Sequence, residues 1–208
     1  MTNSNLVAEV AGIVLAGGQS KRMGADKALV MLGANTLIDH SVARLRPQVA
    51  ALAINANCDP ARFAQFGVPI LSDPIPGFQG PLAGILAGMR WAQQAGKSFA
   101  ATVPADTPFA PGNLVARLRA GIGDAEIAVA TSRDGTDHPT VALWRVSLAE
   151  DLASWLEQGS DRAVRTWIGA RRASRVEFPD DAGGDPFFNV NAPADLELAA
   201  ARLRRERA

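Results

Sequence analysis

Residues 12–27 read Gly12-Ile13-Val14-Leu15-Ala16-Gly17-Gly18-Gln19-Ser20-Lys21-Arg22-Met23-Gly24-Ala25-Asp26-Lys27, and this stretch decides the fold. The apolar run Gly12–Leu15 is too short for a helix and is closed by a glycine pair, the pattern of a buried strand entering a tight loop. The loop then carries Gly17, Gly18 and Gly24 beside Lys21, Arg22 and Lys27. Glycines allow backbone N–H groups to approach an anion closely, and cations neutralise phosphate charge. Two familiar phosphate loops are absent: no glycine has the Walker A spacing before Gly-Lys-Ser/Thr, and Gly-x-Gly-x-x-Gly does not occur.

Working outward, short apolar strands alternate with amphipathic helices. Strands are expected at Val49–Asn55, Val68–Leu71, Phe99–Val103, Ile127–Thr131, Val141–Trp144 and Val176–Phe178. Thr36 and Asp39 predict a capped helix with Ile38, Val42 and Leu45 on one face, stopped by Pro47. In Gly80–Trp91, Leu82, Ile85, Leu86 and Met89 fall at i, i+3, i+4, i+7, an apolar helical stripe. Further helices are expected at Pro111–Ala120, at Ser147–Glu157 with Ser147 and Glu150 as a capping box, at Ser160–Ile168, and from Pro193 to Arg205. Leu196, Ala199, Ala200 and Leu203 of the last helix should face inward, and the basic tail Arg202–Arg207 should be a solvated helix end. The expected class is α/β: a single domain whose mostly parallel twisted sheet is covered by helices on both faces, a Rossmann-like arrangement. Ligands of such sheets bind outside the carboxyl ends of the strands.

Composition excludes several functions. The 208 residues carry 21 Lys+Arg against 21 Asp+Glu, a zero net charge that argues against a bulk polyanion such as duplex nucleic acid, so no nucleic-acid partner is expected. The longest run without charge, Pro74–Met89, is too short and too broken by Pro, Gly and Gln to span a membrane. Glu9 and the late first cation, Lys21, argue against a secretory signal, so the expected location is the cytoplasm. Cys58 is the single cysteine and allows neither an internal disulfide nor a cysteine-rich zinc site. No Gly-x-Ser-x-Gly elbow or His-Glu-x-x-His helix is present.

The segment Leu15–Lys27, Leu-Ala-Gly-Gly-x-Ser-x-Arg-Met-Gly-x-Asp-Lys, resembles the nucleotide-binding signature of the molybdenum cofactor guanylyltransferase family, nucleotidyltransferases of the MobA type. Six further segments agree in order: Asn55-Ala-Asn57, Ser72-Asp73, Gly80-Pro-Leu-Ala-Gly84, Pro104-Ala-Asp106-Thr-Pro108, Asp137-His-Pro-Thr140 and Phe188-Asn-Val-Asn-Ala-Pro193. The resemblance implies one nucleotidyltransferase domain over 1–208, with a nucleotide half at about 11–110 and an acceptor half at about 111–198. It implies GMP transfer from GTP to the terminal phosphate of molybdopterin, with Mg²⁺ as cofactor and Mn²⁺ as a substitute. Molybdenum-insertion proteins and apo-molybdoenzymes or their chaperones are the further partners it suggests.

By the same resemblance, Leu15, Ala16, Gly17, Gly18, Lys27, Asn55, Asp73, Gly80 and Asp106 bind the nucleotide, and Arg22, Lys27 and Asp106 carry catalysis. Asp106, at the end of an apolar strand, is the implied metal ligand, and one carboxylate plus substrate phosphates is an ordinary Mg²⁺ site. A carboxylate at Asp73 can accept two N–H donors from a guanine edge. Gly80 opens a helix whose N-terminus faces the ligand, with Gly84 and Gly88 packing that helix on the sheet. His138, Asn189 and Asn191 are assigned to the acceptor pocket; His138 also reads as a strand-entry residue and Asn191 as an N-cap. Two alternatives remain open at this level. One is cytidylyl transfer to the same cofactor or nucleotidyl transfer to a sugar phosphate; the other is a non-catalytic GTP-binding module.

Overall fold

A computed structural model describes residues 8–17, 27–75, 80–159 and 161–206. The strands are β1 (Val10–Leu15), β2 (Met31–Leu32), β3 (Asn35–Thr36), β4 (Ala51–Asn55), β5 (Ile70–Leu71), β6 (Phe99–Pro104), β7 (Ile127–Ser132), β8 (Asp137–Arg145) and β9 (Ala173–Phe178). The α-helices are α1 (Leu37–Leu45), α2 (Pro81–Gln94), α3 (Leu114–Gly121), α4 (Ala149–Glu157), α5 (Val164–Gly169) and α6 (Pro193–Glu206).

Seven strands form one sheet in the order β5-β4-β1-β6-β8-β7-β9, and β8 alone runs antiparallel to its neighbours. Every other pairing in that sheet is parallel, as expected from the alternating pattern. Side chains alternate across the sheet: Val10 and Val14 of β1 join the core over α1 and α3, whereas Ala11 and Ile13 join the core under α2, α4 and α5. A third apolar cluster, Leu32, Leu37, Phe109, Val190 and Ala199, holds α6 and the β2–β3 hairpin at one side of the sheet. Among the described residues no helix is long and apolar enough to cross a membrane.

Register fixes the edge that matters. Leu15 pairs with Asn55 on one side and with Pro104 on the other, and Asn55 pairs with Leu71. The carboxyl ends of β5, β4, β1 and β6 therefore form one row. Because β8 is antiparallel, its first residues, Asp137 and His138, come to the same edge, opposite Thr131 and Ala130 of β7.

The Thr36–Asp39 capping box of α1 is present, with each side chain bonded to the other's backbone N–H. Four local expectations are corrected. Ser147 and Glu150 make no capping box: Val146–Leu148 form a 3₁₀ turn with Val146 and Leu148 buried, and α4 starts at Ala149 without a side-chain cap. Glu150 instead pairs with Arg90 of α2. The helix expected from Pro111 starts at Leu114, where Gln48, a buried side chain from after α1, accepts a bond of 3.0 Å from the Val115 N–H. The helix expected from Ser160 starts at Val164, and Asp161 takes the Ala163 N–H and the Thr166 hydroxyl; Ser160 lies outside the described residues.

Arg202, at the start of the basic tail, is the fourth correction, while Arg204 and Arg205 are exposed as expected. Arg202 is only 4% exposed: its guanidinium lies 4.1 Å from the Phe109 ring centroid and bonds Asp181, Glu206 and the Asp185 carbonyl. Position 202 shares the inward face with Ala199, so the helix phase buried the charge and tertiary partners neutralised it. Gly183 leaves the space that the Arg202 side chain fills.

Candidate functional site

Two polar clusters stand on the carboxyl edge of the parallel strands. In the first, Asp106 sits two residues beyond β6, and Lys27 opens a 3₁₀ turn that leads into the β2–β3 hairpin and α1. The Lys27 ammonium forms an ion pair with Asp106 Oδ2 and donates to Asn191 Oδ1 at 2.6 Å and Asn189 Oδ1 at 3.2 Å. Three N–H donors thus meet three acceptors. Asp106 Oδ1 is buried and has no hydrogen-bond partner among the described residues. A buried carboxylate oxygen without a donor is costly unless a cation completes it, so this atom suits a hard metal ion. Among the described residues no group of three or more His, Cys, Asp or Glu could hold a metal ion.

The loop that presents Asp106 is tied on three sides. The Ala105 N–H donates to the Leu15 carbonyl at 2.9 Å, and the Val190 N–H donates to the Asp106 carbonyl at 3.0 Å. From α1, the fully buried Ser41 places its hydroxyl 3.1 Å from the Ala105 carbonyl oxygen, 3.3 Å from that of Pro104 and 3.4 Å from that of Thr107. Sequence reading missed Ser41, although a serine on the stripe of Ile38, Val42 and Leu45 marks a polar group at a core position. Asn189 and Asn191 are the chain neighbours of Val190, which this bond holds at Asp106, and both reach Lys27. Asn191 is therefore not an N-cap: Asp195 takes the Asn191 and Ala192 N–H groups at 2.8 Å each.

The second cluster joins Asn55, Asn57 and Asp73. Asn55 ends β4 and donates to Asp73 Oδ1 at 2.9 Å and to the Leu71 carbonyl at 3.0 Å. Asn57 donates to Asp73 Oδ2 at 2.7 Å and accepts the Asp73 N–H at 2.8 Å. The alternation of an extended chain brings residues 55 and 57 to the same side, a signal the Asn-Ala-Asn spelling contained. Gly17 and Gly84 both lie against the Asn55 side chain; a methyl group at Gly84 would collide with it, and one at Gly17 would sit tightly against it at 3.2 Å. Gly84 thus clears a site residue as well as packing its helix; Gly88 packs directly on Ile13 of the sheet. Gly80 caps α2 with φ +67° and ψ −163°, a backbone conformation that needs glycine.

His138 lies further along the same edge. Its Nε2 is 2.6 Å from the Ser132 hydroxyl, which donates to Asp185 Oδ1 at 3.0 Å, and its ring packs 4.6 Å from that of Phe187. Burial lowers its pKa from the ordinary histidine value, against the nearby carboxylates of Asp185, Asp134 and Asp137. The structure therefore brings Lys27, Asp106, Asn189 and Asn191 into one cluster, Asn55 and Asp73 into another, and leaves His138 in a separate one. Leu15, Ala16 and Gly17 lie between the first two, on the row formed by β4, β1 and β6. Gly18, Lys21 and Arg22 lie outside the described residues.

Residues 12–175 match the family described as the MobA-like NTP transferase domain. The chain is similar to the molybdenum cofactor guanylyltransferase of Rhizobium meliloti, with 48% identity over 198 residues that cover 92% of this chain and 90% of that protein. It is equally similar to a protein of the same name from Cereibacter sphaeroides, with 48% identity over 197 residues covering 94% and 97%. Among solved structures, molybdopterin-guanine dinucleotide biosynthesis protein A from Archaeoglobus fulgidus has the same fold, with a TM-score of 0.74 at 22% identity over 94% of this chain and 99% of that one.

Proposed function

Because the chain belongs to the MobA-like NTP transferase domain family, we propose that it transfers GMP from GTP to the terminal phosphate of molybdopterin. The observation that carries the reading is the pairing of Lys27 with Asp106 at the carboxyl edge, with the second Asp106 oxygen buried and without a partner among the described residues. A phosphoryl transfer needs few covalent steps from the protein; alignment and charge neutralisation dominate.

A phosphate oxygen of molybdopterin attacks the α-phosphorus of GTP, the new P–O bond forms, the α–β bridging bond breaks, and pyrophosphate leaves. The acceptor phosphate is already anionic, so no side-chain nucleophile or base is required. Lys27 donates to the phosphates, exchanging its contacts with Asn189 and Asn191 for phosphate oxygens, and Arg22 adds a second cation. Backbone amides of Leu15–Gly18 approach the phosphates, and Asn55 and Asp73 face the base and ribose. Asp106 would hold Mg²⁺, which supplies charge neutralisation on the phosphates when bound. His138, Asn189 and Asn191 border the acceptor.

The test is pyrophosphate release from GTP, Mg²⁺ and molybdopterin together, with thermal stabilisation by GTP–Mg²⁺ against CTP–Mg²⁺ measured alongside. Turnover with preferential stabilisation by GTP supports the assignment. Greater stabilisation by CTP overturns guanylyl transfer, and binding of both substrates without pyrophosphate release makes the chain a nucleotide-binding module.

A further inference from the structure

Asp73 is held in a way that a turn aspartate does not require. Each of its carboxylate oxygens accepts one side-chain amide, Oδ1 from Asn55 and Oδ2 from Asn57. Asn57 in addition accepts the backbone N–H of Asp73, so its amide closes a two-bond ring on a single residue. Asn55 spends its other amide hydrogen on the Leu71 carbonyl, the last residue of β5. The plane of the carboxylate is therefore fixed from two sides, and its orientation is anchored to the ends of β4 and β5. One lone pair on each oxygen is used internally, and each oxygen keeps further acceptor capacity.

From this geometry we infer that Asn57 is a specificity-determining positioning residue, which orients Asp73 so that its two oxygens receive the paired N1–H and N2–H donors of guanine. The inference rests on the reading that Asp73 faces the base. Two parallel acceptors match two parallel donors. Cytosine and adenine each set one donor beside a ring-nitrogen acceptor, which would oppose a carboxylate oxygen. A site built around two N–H donors discriminates strongly against an analogue that lacks one, because the polar group left behind is unpaired. Freed from Asn57, the Asp73 side chain could rotate about χ1 and χ2, and the match would be lost even though the carboxylate remained.

Inosine triphosphate is the informative probe: it keeps N1–H and lacks the exocyclic amine. Binding of GTP–Mg²⁺ and ITP–Mg²⁺ to the full chain should be measured by calorimetry for the unchanged protein, Asn57→Ala, Asn57→Asp and Asp73→Asn. Asn57→Asp can still accept the Asp73 N–H but cannot donate to Oδ2, so it separates the backbone bond from the carboxylate bond. In both Asn57 variants GTP affinity should fall roughly tenfold, the scale of one hydrogen bond to a charged group, while ITP affinity falls less, so that the GTP:ITP ratio collapses. Equal weakening of GTP and ITP in the Asn57 variants, with the ratio still lost in Asp73→Asn, would overturn the role of Asn57 and leave the base reading intact. An unchanged ratio in Asp73→Asn would overturn the base reading and this inference with it. Asn57 is exposed, so these variants should fold, and thermal melts verify it.

Discussion

Two cation–carboxylate pairs in this molecule are built from similar parts to opposite ends. Arg202 and Asp181 are completed by the protein itself. The guanidinium, 4% exposed, also has Glu206, the Asp185 carbonyl and the Phe109 ring, and its carboxylate partner is 47% exposed to water. Lys27 and Asp106 are both sheltered, with side chains 13% and 21% exposed, yet one buried oxygen of Asp106 is left without a donor among the described residues. The first pair is closed and staples α6 to the 181–185 loop. The second is open, and its incompleteness is what suits it to a ligand that brings its own positive charge. Burial of a charge pair therefore does not by itself separate scaffold from site. Neither does one unpartnered atom, since the Nε of Arg119, whose guanidinium pairs with Glu9, is also buried without a partner among the described residues. Asp106 is set apart by its place at the carboxyl edge beside Lys27.

Several experiments can break or sharpen that contrast. The largest effect is expected at the open pair: Asp106→Ala should lower pyrophosphate release by ~10²-fold or more, the usual scale for losing a charge-stabilising group, with the melting temperature almost unchanged. Lys27→Met should likewise depress turnover by at least about tenfold, yet strengthen Mn²⁺ binding in the absence of nucleotide, measured by electron paramagnetic resonance, because Asp106 is released from its internal cation. Weaker Mn²⁺ binding in that variant would mean that the lysine does not compete with the metal. At the closed pair the pattern should reverse. Arg202→Met should cost about 2–3 kcal/mol in denaturant unfolding while turnover well below the melting temperature stays within a few-fold. Full stability in that variant would reduce the staple to an incidental surface contact.

The smallest expected effect is at His138. Burial depresses its folded-state pKa, so the unfolded chain takes up the proton first. Its contribution is intact above the unfolded value of roughly 6.5 and is lost as pH falls from there toward the folded value. Acidification should therefore lower the melting temperature less in His138→Gln than in the unchanged chain. A parallel decline in both would place the acid sensitivity elsewhere.

The fold was largely legible in the sequence because its signals are local. The short apolar run of β1, the i, i+3, i+4, i+7 stripe of α2 and the Thr36–Asp39 cap each act within one strand or one helix. Two of the three misplaced helix starts share a cause: their caps or packing came from elsewhere. Gln48 caps α3 from the end of α1, and Glu150 serves Arg90 instead of its own helix. Of the candidate site, the residue types and their position at strand ends were readable, while their partners were not. Nothing in the spacing of Lys27, Asp106, Asn189 and Asn191 brings them within one hydrogen-bond shell, since the separations run to 162 and 164 residues. Asn189 and Asn191, expected at the acceptor, both bond the Lys27 ammonium.

What the chain's order of residues determined alone was the alternation of strands and helices and the glycine-rich stretch that follows β1. These depend on short-range sterics and on which side chains avoid water. What only the tertiary structure decided was which polar groups were finished and which were left open. Whether Arg202 is solvated or buried, whether Asp73 turns freely or is clamped, and whether Asp106 keeps an unpaired oxygen depend on distant segments arriving at one place. Hydrogen bonding and charge compensation are satisfied in three dimensions, and linear spacing carries no record of them.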